Sequence, residues 1–237
     1  MALNPIYDCD VSDKATPYRF EREMVAPIVS HLPSIFEALK GQRTLLLREQ
    51  AIGAVVPDLL FGIWSGDLPR CSGLNLVSRQ ILAWLCVQKK ADSAELLSEH
   101  LFISEKATYA AVSALERLGA ISKRTSGEVE LRPEFNISES IYLVAIEVKL
   151  KRWREALLQA MQYRSFADEA YVAVDARQVR ITADVRAMFV SSGVGLFLQS
   201  GRSIEKMIDA QARTPQPSVE RLFALSKFAT SGLYCLA

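Results

Sequence analysis

Between residues 141 and 199 the chain writes three apolar runs separated by two helix-length amphipathic stretches. The runs are IYLVAIEVKL (141–150), AYVAVD (170–175) and VGLFLQ (194–199), and the stretches are 152–167 and about 176–190. Strands joined through a helix must cross over and lie parallel, and strands buried on both faces read as continuous apolar runs. This single feature confines the chain to the α/β class. With 237 residues, half of them hydrophobic, the chain is long enough to bury a large core.

The flanking segments extend the layer. From Tyr18, the residues Phe20, Met24, Ile28, Leu32, Ile35, Phe36 and Leu39 recur at spacings of three and four, which predicts a helix. Pro27 and Pro33 predict a kink in it or a division into two short helices. Residues 44–64 read as two strands breaking near Glu49 to Gly53, and residues 65–73 are turn-rich. A helix is expected over 78–90 and a second over 92–101, with Asp92 and Ser93 as cap candidates; a third spans 105–121, with Ser104 as N-cap and Gly119 as its stop. A strand, a turn at Ser126-Gly127 and a strand follow in 121–132. Helix, helix, turn, helix and two-stranded wing resemble a winged helix-turn-helix. Residues 203–212 are mixed in pattern, and a last helix is expected over about 218–230.

Two charges break the first apolar run. Residues i and i+2 share a face of a strand, so Glu147 and Lys149 point the same way, beyond apolar Leu143 and Ala145. They stand at the strand's carboxyl end, where sites in open α/β sheets lie. Asp58, after Pro57, is another lone charge in an apolar setting, and Glu21 opens the first helix. Gln159 and Tyr163 are four apart on the helix that follows the Glu147 strand, hence on one face.

Asp58, Glu147-x-Lys149 and Gln159-x-x-x-Tyr163 together resemble the PD-(D/E)xK nuclease superfamily, the last feature its RecB-like branch. The pairing of FEREMV (20–25) with LVAIEVK (143–149) is similar to archaeal Holliday junction resolvases of that superfamily. The resemblance covers roughly 18–64 and 139–200. It implies a restriction-endonuclease-like mixed sheet flanked by helices, formed by 18–66 and 138–237, with a winged-helix insertion over 76–134. Asp58 and Glu147 stand 89 positions apart, far beyond the family's usual hairpin, and the insertion accounts for the gap.

The resemblance also implies a chemistry, metal-dependent hydrolysis of DNA phosphodiesters by an endonuclease of DNA repair, recombination or defence. Asp58, Glu147 and the Val148 carbonyl would hold Mg²⁺ or Mn²⁺, hard cations that prefer oxygen ligands. Lys149 would orient or deprotonate the attacking water or stabilise charge on phosphorus. Glu21 would hold a second ion or a metal-bound water, and Gln159 would position water or Lys149. DNA contacts are expected from Tyr163 and Arg152, and in the inserted module from Lys106, Thr108 and Tyr109 on the third helix and Lys123 and Arg124 on the wing. A homodimer would supply two active sites for two antiparallel strands. Two rival readings share these residues: a nuclease-like scaffold that binds DNA without cleaving it, and a nuclease directed at RNA.

Composition narrows the rest. Lys+Arg total 28 against 27 Asp+Glu, so DNA contact must come from local patches. Residues 79–134 carry eight basic and eight acidic residues, which leaves open whether the module binds DNA or a protein. Two histidines exclude a histidine-rich metal site. Four scattered cysteines, without a C-x-x-C pair, predict core thiols in a reducing compartment. The N-terminus lacks the pattern of a signal peptide, and no apolar stretch approaches the roughly 18 residues of a membrane span. A cytoplasmic protein without an organic cofactor is the expectation.

Overall fold

The computed structural model describes residues 18–36, 42–64, 73–135, 141–213 and 215–230. Cys9, Cys71, Cys235, most of the turn-rich stretch 65–73 and the expected domain boundaries at 66 and 138 lie outside them. The chain is α/β: a six-stranded mixed sheet flanked by helices. Helix α1 (Arg22–Ile35) leads into β1 (Arg43–Arg48) and β2 (Leu59–Trp64), an antiparallel pair. Strand β5 (Tyr142–Lys149) lies antiparallel to β2 and parallel to β6 (Glu169–Asp175), which is parallel to β7 (Gly195–Ser200). Helices α5 (Trp153–Tyr163) and α6 (Ala183–Ser192) are the two crossovers, and the strand-and-helix alternation of 141–199 folds as expected. Strand β8 (Ser203–Ile208) closes the far edge, antiparallel to β7, giving the order β1-β2-β5-β6-β7-β8.

Strand alternation sorts the side chains into two layers. Leu59, Phe61, Val144, Ile146, Val148 and Ala173 pack beneath Met24, Ile28, Leu32 and Phe36 of the α1 region. Leu60, Leu143, Ala145, Ala170 and Val172 pack under α5, α6 and α7 (Val219–Thr230) through Ala156, Ala160, Phe189, Leu222 and Phe228. Both faces of the central strands are covered, which is why they read as unbroken apolar runs. Gly195 is required there: a Cβ would lie 2.2 Å from the Tyr171 ring, which stacks on Phe197 at 4.5 Å.

Between β2 and β5 the chain builds three helices, α2 (Leu76–Gln88), α3 (Ala94–Leu101) and α4 (Glu105–Leu118), and a two-stranded ribbon of β3 (Ile121–Lys123) and β4 (Val129–Leu131). Ser93 and Ser104 cap α3 and α4 by accepting from Leu96 N and Ala107 N, and Gly119 ends α4 at φ +76°. Asp92 exchanges backbone hydrogen bonds with Val129, adding a single antiparallel rung on the other edge of β4. Among the described residues this module has no separate core. Its Ile81, Leu82, Leu97 and Leu115 belong to the same buried cluster as α7 and the sheet. The Arg79 guanidinium of α2 also lies 3.8 Å from the centre of the Phe223 ring on α7.

Three expectations need correction. Helix α1 is one helix past Pro27 rather than two short ones, and the Pro27 carbonyl is met by the side chains of Ser30 and His31 at 2.8 and 2.9 Å. Helix α6 starts at Ala183 rather than near 176, because Thr182 caps it through Val185 N. The mixed stretch after 203 is the edge strand β8, largely exposed and therefore lacking an apolar rhythm. Among the described residues no helix is long and apolar enough to cross a membrane.

Candidate active site

The site residues converge on the carboxyl end of β5. Glu147 and Lys149 emerge on the sheet face that carries Leu143 and Ala145, beneath α5. Lys149 Nζ lies 2.8 Å from Glu147 Oε1. Asp58 sits just before β2, one register step past the Leu59–Ile146 pair, and its Oδ2 accepts from Val148 N at 2.7 Å. Glu21 approaches from the start of α1: Oε2 is 3.6 Å from Lys149 Nζ, and Oε1 accepts from Leu150 N at 3.4 Å. Four residues spread over 129 sequence positions thus meet at one strand end.

Burial sets the electrostatics. Glu147 is only 1% exposed, and its second oxygen, Oε2, accepts from the Tyr163 hydroxyl at 2.5 Å. Burial of Asp58, with the Glu147 charge beside it, raises its carboxyl to about 6, against the lowering effect of the Val148 bond. Burial works against the Lys149 ammonium. The Glu147 bond and the Asp58 and Glu21 charges outweigh it and hold this lysine above its ordinary range. Burial, then the bond to Glu147, push the Tyr163 phenol far up, so it stays a donor. Three carboxylates share one ammonium, a formal charge of −2 if all are ionised.

Carboxylate oxygens are the ligand type that hard divalent cations prefer. Asp58 Oδ1 accepts no hydrogen bond from a described residue, whereas both Glu147 oxygens are engaged. Among the described residues no group of three or more His, Cys, Asp or Glu side chains is placed so that it could hold a metal ion by itself. Mg²⁺ does not need one, since it is commonly held by one or two carboxylates with waters and substrate phosphate oxygens completing the shell.

The other expected residues divide. Gln159 is half-buried one turn before Tyr163, its amide bonded to no described residue. Tyr163 is 1% exposed, so it is an inner partner of Glu147 rather than a contact for a DNA backbone. Thr108 is also buried, its hydroxyl donating to Ser104 O at 3.2 Å, and presents nothing to a groove. Arg152 is exposed and 3.1 Å from Glu155. On the module, Lys106 is exposed and the Tyr109 hydroxyl donates to Glu95. Lys123 pairs with Glu116 at 3.0 Å and Arg124 with Glu130 at 2.6 Å, so the wing's basic groups already have acidic partners.

Sequence reasoning missed Gln199 and Asp175, buried polar residues at the ends of β7 and β6. The signal was the one that exposed Glu147: a polar side chain closing an apolar strand. No family model, curated protein or solved structure matches this chain.

Proposed function

We propose that this chain is a metal-dependent nuclease of restriction-endonuclease-like architecture that hydrolyses DNA phosphodiesters. The observation that carries the reading is the excess of carboxylates over ammonium groups where Glu21, Asp58, Glu147 and Lys149 meet. A structural ion pair needs one partner per charge, and three acids around one base are balanced by a bound cation. Asp58 and Glu147, with the Val148 carbonyl, would hold Mg²⁺ or Mn²⁺. When bound, such an ion would polarise the phosphate and lower the pKa of a coordinated water. Lys149, anchored to Glu147, would stabilise the charge that builds on the phosphate oxygens. Tyr163 fixes the Glu147 carboxylate by holding Oε2, and Glu21 is a second acidic partner of Lys149. Gln159, on the face of α5 that carries Tyr163, has a free amide to orient water.

The module between β2 and β5 supports the winged-helix insertion by its element order and by the Asp92–Val129 rung. Its neutralised wing favours a weak or indirect role in holding DNA. One observation favours a non-catalytic scaffold as a second reading: both oxygens of Glu147 are already occupied, by Lys149 and Tyr163.

Cleavage separates the two. Supercoiled, linear and branched DNA, with RNA alongside, are incubated with the full chain in Mg²⁺ or Mn²⁺. The nuclease reading expects metal-dependent DNA cleavage that falls about 10²- to 10⁴-fold in Lys149→Met, the range for loss of a positioned proton-transfer or charge-stabilising group. No cleavage of any form selects the scaffold, and cleavage of RNA alone replaces the substrate.

A further inference from the structure

Glu21 does not cap its own helix. It occupies the N-cap position of α1 without a side-chain cap bond, and its carboxylate turns instead to Lys149 and Leu150 N. The local capping is done by Glu23, whose Oε2 accepts from Arg19 N at 2.9 Å and Phe20 N at 3.3 Å. Something else must hold the helix start over the sheet.

That hold is Tyr18, three residues before Glu21. Its N–H donates to Asp175 Oδ2 at 3.4 Å, and its carbonyl accepts from Gln178 Nε2 at 3.3 Å. Its hydroxyl donates to Gly201 O and accepts from Gln199 Nε2 at 2.9 Å. Gln199 Nε2 also donates to Met24 O at 3.2 Å, reaching the first turns of α1 directly. Gln178 Nε2 ties back to Asp175 Oδ2 at 2.9 Å. Asp175 and Gln199 are both fully buried and face each other in the β6–β7 register. Fully buried polar side chains at two strand ends are costly unless satisfied, and here most of their bonds go to one short segment.

We propose that Tyr18, clamped by Gln199, Asp175 and Gln178, is the positioning residue for Glu21: the ends of β6 and β7 set how an acid reaches the end of β5. The inference rests on Glu21 belonging to the nuclease site, but its test does not require catalysis. Amide hydrogen exchange of Leu150, the group that Glu21 accepts from, is followed by NMR in the full chain, with Leu143, held by Asp168 Oδ2 at 2.7 Å, as internal control.

Tyr18→Phe removes the hydroxyl links and is expected to speed Leu150 exchange about tenfold with Leu143 unchanged, as local opening does. Gln178→Ala, a partly exposed site that leaves the core intact, is expected to give a smaller increase of about threefold in the same direction. Glu21→Ala, which removes the acceptor, should already show the fast exchange, and adding Tyr18→Phe should change it no further, because groups acting through one contact are non-additive. Unchanged Leu150 protection in a folded Tyr18→Phe or in Gln178→Ala overturns the proposal, as does an additive double variant, which marks general loosening. Full cleavage by Glu21→Ala would instead remove Glu21 from the nuclease reading while the exchange result stands.

Discussion

The sheet buries two clusters of charge, one at each end, and they are built on opposite plans. At the amino end of β6, the Arg221 guanidinium of α7 is 1% exposed. It donates to Phe166 O at 2.7 Å, Ile141 O at 2.9 Å and Asp168 Oδ2 at 3.1 Å, and Leu143 N donates to the same carboxylate. One acid meets one base, and backbone groups take most of the remaining valences. At the carboxyl end of β5, three acids meet one base, and Asp58 is raised to about 6 by burial and by Glu147. The first arrangement ties three elements together. The second leaves an excess of carboxylates, which a proton on Asp58 or a bound cation would relieve. Burial is common to both, so stoichiometry separates a structural cluster from a candidate site.

The sharpest way to break the comparison is at Arg221. Arg221→Ala leaves Asp168 buried and unpaired and strips two carbonyls of their donor. The expected loss is about 3–5 kcal/mol in denaturant unfolding, and a loss under about 1 kcal/mol would mean that this end is not the bolt described here. Tyr163→Phe tests the other cluster more gently. It leaves a Glu147 oxygen buried without its donor, an expected loss of about 1–3 kcal/mol, together with slower cleavage.

Asp58→Asn should act in the opposite direction. The folded-state pKa of Asp58 lies above its unfolded value, from 3.8 to about 6, so the folded chain binds the proton more tightly. Its contribution therefore favours folding at low pH, declines as pH rises from about 4 to 6, and remains a penalty above that. Without divalent cations the Asn variant, which keeps an acceptor for Val148 N, should be about 1–2 kcal/mol more stable at pH 7, after discounting a two-unit shift for partial exposure. At pH 4 the difference should vanish. A less stable variant at pH 7 would show that the carboxylate excess is relieved within the protein. The smallest effect belongs to the wing: Lys123→Ala with Arg124→Ala should cost at most about 0.5 kcal/mol. It should also leave the salt dependence of DNA binding unchanged, since Glu116 and Glu130 already hold those charges. A shallower salt slope would return the wing to the DNA interface.

Much of this was legible in the chain, for reasons of range. The crossovers of 141–199, the caps Ser93 and Ser104 and the stop at Gly119 are local signals, and local physics sets them. Glu147 and Lys149 were legible because a charge inside an apolar strand contradicts the strand's own rhythm. Arg221 was not: its partner Asp168 is 53 positions away, and nothing in an amphipathic helix marks which charge turns inward. Tyr163 and Thr108 were placed on the right helices and the wrong side of the surface, because periodicity gives a face but not its depth. Strand β8 escaped because an exposed edge carries no apolar pattern, and the clamp on Tyr18 escaped because it joins residues more than 150 positions apart.

The central claim, that the carboxyl end of β5 carries negative charge left for a cation, is tested most directly by calorimetric titration of the metal-free chain with Mn²⁺. Wild type is expected to bind and to gain thermal stability as Mn²⁺ rises, whereas Asp58→Asn loses both responses while remaining folded. Equal binding by the two proteins, or no binding by either, would contradict the account.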